Sequence, residues 1–548
     1  MKIFYREFIL YILVILAISL PWFFNSGYLF FTDFSIGPNI SLDFLNNSFF
    51  TILLIKIFSL FYFYSFGQKI FLSFLLLIIL LGGRKISENF TQSRVVIFLS
   101  SLFFLFNPFI YDRIMYGQVS IIGAFGFLCL STGYLIQYIK KGELIQIYIA
   151  GLLAGLSIQM SLHFTLFFIV IYLLFITNLI INKFNFREII KVCIIVITII
   201  IAINSNHLFN LTFRNSEVLN FTNNGIKQKD LEIFKTSGKT GFEATLNTLM
   251  MSGFWGKDQL RYIDLTSLKG NWGRSFLILI PIILWGIFIA IKKKELRALS
   301  VGLIIIFLIS SVLAIGIRLP ISKEITYWLF NNFTLYRGFR ETQKWVALIV
   351  IVYGVFLTIG LNKLFGKDIV KNNNFLALIL IGGVIIMQSP FMLFGLRGQI
   401  KPVNFPNDWY QVNDYIINSQ KINPSSNKEC SDKILFLPWH MYMSFTWTGK
   451  IIFNPANSFF KCPVIQGTNM EWGGIYNNSL DKNSQKVEQW INEPHDIDLL
   501  NSNDLYIEYI ILVKEVDWRK YEWLDTISEL KLEKEFDSLK LYKVLHDK

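Results

Sequence analysis

Residues 119–163 read VSIIGAFGFLCLSTGYLIQYIKKGELIQIYIAGLLAGLSIQMSLH. Two apolar runs meet at a turn carrying Lys140 and Lys141, so the second run returns to the face on which the first began. A transmembrane helix needs about 20 predominantly apolar residues, and short loops rich in Lys and Arg stay on the cytoplasmic side. The stretch therefore predicts a helical hairpin in a bilayer, with its basic turn inside and its open end, at Gln118 and His163, outside.

The same pattern extends in both directions. Apolar runs are expected to span near residues 8–24, 61–82, 95–108, 119–139, 144–162, 164–182, 188–204, 275–291, 298–317, 344–363 and 375–394. Basic joints follow alternate runs: Arg84, Lys85 and Arg94; Lys140 and Lys141; Lys183, Arg187 and Lys191; Lys292 to Lys294 and Arg297; Lys363, Lys367 and Lys371. All fall on the side of Lys2, which makes that side cytoplasmic. The run after Lys2 and Arg6 has no small-residue cleavage site beyond Pro21 and reads as a retained first helix. The third run is short and must borrow its flanks. Gly67, Gln68 and Lys69 interrupt the run at 49–82, but a turn there would export the basic joints. We instead expect a surface segment before about residue 60, with Lys69 snorkelling.

Composition agrees with a membrane class, since 53% of residues are hydrophobic, 16% are charged and 54 are Phe. The net charge of +13 is explained by orientation in the bilayer and needs no nucleic acid partner. The expected fold is an α-helical polytopic membrane domain of about eleven spans over residues 1–394, followed by an extracytoplasmic α/β domain over 395–548. Outer loops fall at 25–60, 107–118, 205–274 and 318–343. Within the tail, Lys433 to Leu437, Tyr506 to Val513 and Leu541 to Leu545 read as strands, and Asn407 to Ser419 as a helix. Seven of the 13 Trp lie beyond residue 395, suited to stacking on sugar rings or to an aromatic core. Cys430 and Cys462 are the only cysteines of the exported part, Cys129 and Cys193 falling in spans, so a disulfide between them is expected.

The threading gathers acidic Asp33, Asp43, Asp112 and Glu341 on the outer face. The stretch from Asn25 to Asn39 holds no Lys or Arg, so Asp33 is open to proton abstraction or metal binding, although it could equally cap the next segment or face water. At 107–118 Pro108 ends a helix and Gly117 permits a tight re-entry. There Asp112 and Arg113 either pair with each other or offer a carboxylate and an anion-binding group beside Asp33, with Gln118 adjacent. Arg318, Lys323, Arg337, Arg340 and Lys344 sit outside against the positive-inside tendency. Arg forks suit phosphate oxygens; ordinary phospholipid headgroups are the simpler partner. His163, at an outward turn, fits phosphate binding, acid–base work or a plain interfacial role. Gly238-Lys239-Thr240 imitates the end of a phosphate-binding loop, but Ile233 stands where its first glycine belongs.

The acidic first loop around Asp33, the Asn107 to Gln118 joint and the Tyr336-Arg-Gly-Phe-Arg-Glu-Thr-Gln-Lys344 segment together resemble the polytopic GT-C glycosyltransferases, especially large bacterial members similar to arabinofuranosyltransferases. The resemblance covers most of residues 1–394. It implies a polyprenyl-phosphate sugar donor, a glycan or glycolipid acceptor, membrane lipids as surroundings, and transfer of a hexose or pentose on the outer face. Asp33 would be the catalytic base, with Asp43 and Asp112 in support. Arg113, His163, Arg318, Arg337, Arg340 and Lys344 would bind the donor phosphate. The first loop lacks the Asp-Glu pair of protein mannosyltransferases and the tail lacks the Trp-Trp-Asp-Tyr-Gly signature of oligosaccharyltransferases, which disfavours peptide acceptors. The segment Leu435-Phe-Leu-Pro-Trp-His440 looks like the outer domains of some bacterial members. A divalent cation, Mg or Mn, on Asp33, Asp43 or Asp112 is compatible with the spacing, which does not demand one. The rivals are a flippase or transporter of lipid-linked glycans, which would want charges deep in the spans, and a glycan-binding scaffold in which Asp33 is dispensable.

Overall fold

The computed structural model describes residues 2–44, 48–60, 63–213, 226–265, 271–366, 374–419, 430, 432–472, 475–477, 482–492, 497–501 and 505–546. Lys367 and Lys371 of the last basic joint, and parts of the 205–274 loop, lie outside them.

A helix occupies each apolar run: α1 Lys2–Phe23, α3 Tyr64–Ser87, α4 Arg94–Leu105, α6 Val119–Lys141, α7 Leu144–Met160, α8 Phe164–Ile181, α9 Phe186–Ile203, α10 Asn271–Lys292, α11 Lys294–Ile315, α13 Val346–Phe365 and α14 Asn374–Ile386. Three others complete the elements used below: α2 Phe49–Ser59, α5 Pro108–Tyr116 and α12 Pro320–Asn332. Among the described residues six helices are long and apolar enough to cross a membrane, or up to eight if each of two bent pairs is one span. One bent pair is α4 with α5, joined at 44°, which is how the short third run gains its missing length. The most enclosed candidates, α6 and α13, carry apolar side chains all round, as expected of helices surrounded by helices rather than lipid.

The 49–82 region departs from expectation. Gly67, Gln68 and Lys69 lie inside the first turns of α3, which begins at Tyr64, after α2 has ended at Ser59. Lys69 does not snorkel: it is buried and donates to the Asn25 carbonyl at 2.7 Å. Gln68 accepts from Leu29 N at 2.8 Å and donates to Leu29 O at 2.7 Å. These polar residues interrupt the apolar pattern because they hold the first outer loop.

The tail carries a five-stranded mixed sheet of β3 Lys433–Leu437, β6 Val464–Ile465, β7 Ile507–Val513, β8 Leu530–Glu535 and β9 Leu539–Val544, in the order β8-β9-β7-β3-β6. The helix α15, Asn407–Ser419, buries Trp409, Val412 and Ile416. Cys430 and Cys462 form a disulfide with Cα atoms 4.9 Å apart. Trp409, Trp439 and Trp490 are fully enclosed, so these rings fill the core rather than face a glycan. The hairpin β4 Tyr442–Phe445 with β5 Lys450–Phe453 stands against the membrane domain. There Phe453 N donates to Thr32 O at 2.8 Å and Asn39 N donates to Ser458 O at 2.8 Å, while β1 Tyr28–Leu29 pairs with β2 Pro402–Val403. The first outer loop is thus clamped between α3 and the tail.

Candidate active site

The Asn107 to Gln118 joint is a helix with both ends specified. Asn107 Oδ1 accepts from Ile110 N at 3.1 Å, Pro108 takes the first turn, where no amide is needed, and Gly117 closes α5 with φ +89°. A Cβ on Gly117 would lie 2.5 Å from Phe31 Cβ, so only glycine lets the first outer loop settle there. Asp33 N then donates to Tyr116 O at 2.8 Å, which fixes the aspartate beside Gln118.

Asp33 is half-buried and doubly held. Gln118 Nε2 donates to Oδ2 at 3.2 Å, and Tyr442 OH, from the tail, donates to Oδ1 at 3.1 Å. Each carboxylate oxygen keeps a lone pair free. Burial, then the nearby Glu341 carboxylate, push the Asp33 carboxyl from 3.8 up to about 6, against the opposing pull of the two hydrogen bonds. A base of that strength is ionised at neutral pH yet near enough to it to accept a proton.

Gln118 also donates to Glu341 Oε2 at 3.3 Å, which links Asp33 to a buried charge cluster. Arg113 Nη1 donates to Glu341 Oε2 at 2.8 Å and to Gln118 Oε1, and Lys344 Nζ lies 3.9 Å from Glu341 Oε1. Although burial opposes it, the cations Lys344, Arg113 and Arg340 hold Glu341 well below the usual carboxylate range. Lys344 Nζ is 3.2 Å from His163 Nε2, and that nitrogen is 2.8 Å from the Gly338 carbonyl. A carbonyl only accepts, so Nε2 carries the proton and Nδ1 faces Ser161 Oγ at 3.2 Å as acceptor. Burial and Lys344 push the imidazole down to about 3, so His163 is neutral and is not a cationic phosphate ligand. Arg340 packs over the Phe234 ring at 4.6 Å and keeps a buried Nη1 without a hydrogen-bond partner. Asp33, Gln118, His163 and Lys344 line one cleft of about 1390 Å³, open mouth included, whose other wall is formed by Thr51 and Ile55 of α2.

Other expected site residues lie elsewhere. Arg113 is 1% exposed, stacked 4.4 Å over Phe254, and reaches neither the cleft nor Asp112; it acts through Glu341. Asp112 points away on the next α5 position and accepts from Tyr262 OH at 3.0 Å. Asp43 is exposed in the loop before α2 and does not line the cleft. Arg318 donates to the carbonyls of Thr236 at 2.6 Å and Gly238 at 2.5 Å and does not line the cleft. Arg337 donates to Phe330 O at 3.3 Å, away from the cleft. Thr240 caps the Gly241–Leu249 helix, its Oγ1 accepting from Glu243 N at 3.1 Å, so the loop-like motif there is a helix cap. Among the described residues no three His, Cys, Asp or Glu side chains gather as metal ligands. Sequence reasoning missed Tyr442, which lies 409 residues from Asp33, and Arg261, whose charge acts on Asp33 from outside the cleft.

The sequence matches the model of Glycosyltransferase family 87 over residues 44–313. The structure aligns with the arabinofuranosyltransferase AftD from Mycobacteria at TM-score 0.57 and 11% identity, over 99% of this chain and 41% of that one. The chain has the fold of the GT-C membrane glycosyltransferases. A second GT-C neighbour is the Archaeoglobus fulgidus oligosaccharyltransferase tethered with an acceptor peptide, at TM-score 0.50 and 12% identity, over 93% of this chain and 68% of that one. Both likenesses are of fold, and the chain spans 41% of the length of AftD. No curated protein matches the sequence. Within the GT-C fold, the family-model match begins inside the first outer loop, just after Asp43, and ends within α11.

Proposed function

We propose that the protein transfers a hexose or pentose from a polyprenyl-phosphate donor to a hydroxyl of a glycan or glycolipid on the outer face of the membrane, with the N-terminus cytoplasmic and the tail outside. The observation that carries this reading is the cleft in which Asp33 faces Lys344. Lys344, Arg113 and Arg340 act on Glu341 and Arg261 acts on Asp33, so cations outnumber the two carboxylates. That excess suits the negative charge of a sugar phosphodiester. Lys344 lines the cleft and would meet the phosphate, with Arg340 close enough to share it.

Asp33 takes the proton of the acceptor hydroxyl as its oxygen bonds the anomeric carbon. The bond from that carbon to the phosphate oxygen breaks, and its electron pair leaves on the phosphate. Lys344 and Arg340 stabilise the departing charge in a site already oriented by Glu341 and Arg113. Gln118 and Tyr442 aim the carboxylate. The apolar wall of α2 is where the isoprenoid would enter.

The test is sugar transfer from radiolabelled polyprenyl-phosphate sugars by purified protein in lipid. Lys344→Gln should raise KM roughly 10- to 100-fold by loss of a charge-assisted contact. An unchanged KM would count against the phosphate assignment, and absence of transfer from every such donor would favour a transporter.

A further inference from the structure

Residues of the Asp33 loop wall two cavities. The second, about 650 Å³ with its opening, is walled by Phe31 and Thr32 of that loop, Arg261, Gln399, and Gly449 and Lys450 at the start of β5. Among the described residues its charged lining is two cations, Arg261 and Lys450, and no carboxylate. Lys450 is recruited for no described ion pair, and no carboxylate acts on its ammonium. Burial pushes it from 10.5 down to about 8. A partly desolvated lysine with no counter-charge is costly to keep unless a ligand supplies one. Gly449 opens the wall, since a Cβ there would meet nothing within 4 Å. Arg261 acts electrostatically on Asp33, Tyr442 and Tyr116, so the cavity neighbours the proposed base, and Lys344 does not line it.

The acceptor hydroxyl must reach Asp33 while the donor phosphate occupies the Lys344 cleft, and a second cavity beside the base, with cations of its own, is a place to hold that acceptor. We propose that this second cavity binds an anionic group on the acceptor, a hexuronate carboxylate or a phosphate ester, through Lys450 and Arg261. The tail domain would thereby select acidic acceptors, because Lys450 and Gly449 belong to its hairpin. This deepens the transferase reading and rests on it for the word acceptor; binding of the anion does not depend on turnover.

Three labelled oligosaccharides of matched length, one containing hexuronate, one phosphorylated and one neutral, are titrated onto the full chain in lipid nanodiscs. An acidic probe should bind roughly 10- to 100-fold more tightly than the neutral one. The tighter of the two acidic probes identifies the source of the charge. Lys450→Met and Arg261→Met should remove the preference, and Lys450→Arg should keep it. In the unmodified protein, the acidic probe should also shield Lys450 from reductive methylation, read by peptide mass spectrometry, where the neutral probe does not. Equal binding of all three probes, or no shielding of Lys450, overturns the proposal. A protein that prefers the acidic probe but transfers no sugar keeps this site and overturns the transferase reading. One that glycosylates acidic and neutral acceptors equally well does the reverse.

Discussion

Glu341→Gln separates the electrostatic role of the charge cluster from simple packing. Gln118 Nε2 bonds Asp33 Oδ2 at 3.2 Å and Glu341 Oε2 at 3.3 Å, so the two carboxylate oxygens are no more than 6.5 Å apart. At that separation two unit charges repel by about 0.6 kcal/mol in water and ~2.5 kcal/mol at an effective dielectric of 20. Converted at 1.36 kcal/mol per unit, removing the Glu341 charge should lower the Asp33 pKa by about 0.5 to 2 units from its raised value. The sign follows from the cause: Glu341 repulsion holds the proton on Asp33, so without it the carboxylate stays ionised to lower pH. The acid limb of kcat/KM for transfer, near pH 6 in the wild type from the Asp33 value, should move downward by that amount. Gln keeps an acceptor for Arg113, whereas Glu341→Ala strands a fully buried guanidinium and should cost about 3 to 5 kcal/mol of stability. An acid limb that does not move in a Glu341→Gln protein of normal melting temperature would refute the coupling.

Gly117→Ala should lower the melting temperature and the activity together, because its Cβ would strike the loop that carries Asp33 at a backbone angle of φ +89°. Reporter fusions placed just after Gly142 and just after Gly398 should report cytoplasm and exterior respectively, and the reverse would remove the outward site. Reduction of the Cys430–Cys462 bridge, which spans 32 residues, should destabilise the tail by about 3 to 4 kcal/mol in the chain-entropy picture, read as faster proteolysis of the tail. Tyr442→Phe should keep the fold and slow transfer several-fold, since it frees one Asp33 oxygen; an unchanged rate would mean that the tail does not help aim the base.

The membrane architecture was legible because bilayer insertion writes itself locally, as apolar length and basic turns. The strand Lys433–Leu437 and the helix Asn407–Ser419 were legible for a similar reason, their patterns being complete within a few residues. Asp33 stood out through an absence, the lack of any Lys or Arg between Asn25 and Asn39. The cations could not be sorted from sequence, since Arg318, Arg337 and Lys344 look alike until carbonyls claim the first two and the third is left facing the cleft. Arg113 and Asp112, adjacent in sequence, diverge because neighbours on a helix point about 100° apart. Gln68 and Lys69 misled for the opposite reason, looking like a break when they anchor a loop. Tyr442 could not be seen at all, because only the docking of the tail on the first outer loop brings it to Asp33.

The most direct test is Asp33→Asn. The ionised carboxylate, with its pKa raised above 3.8 to about 6, costs stability as pH rises through that value, so the amide variant should melt no lower than the wild type at neutral pH. Purified in lipid and given a radiolabelled polyprenyl-phosphate sugar with its acceptor, the variant should bind donor as the wild type does and transfer sugar roughly 10²- to 10⁴-fold more slowly. Transfer at the wild-type rate by a folded Asp33→Asn protein would contradict the account.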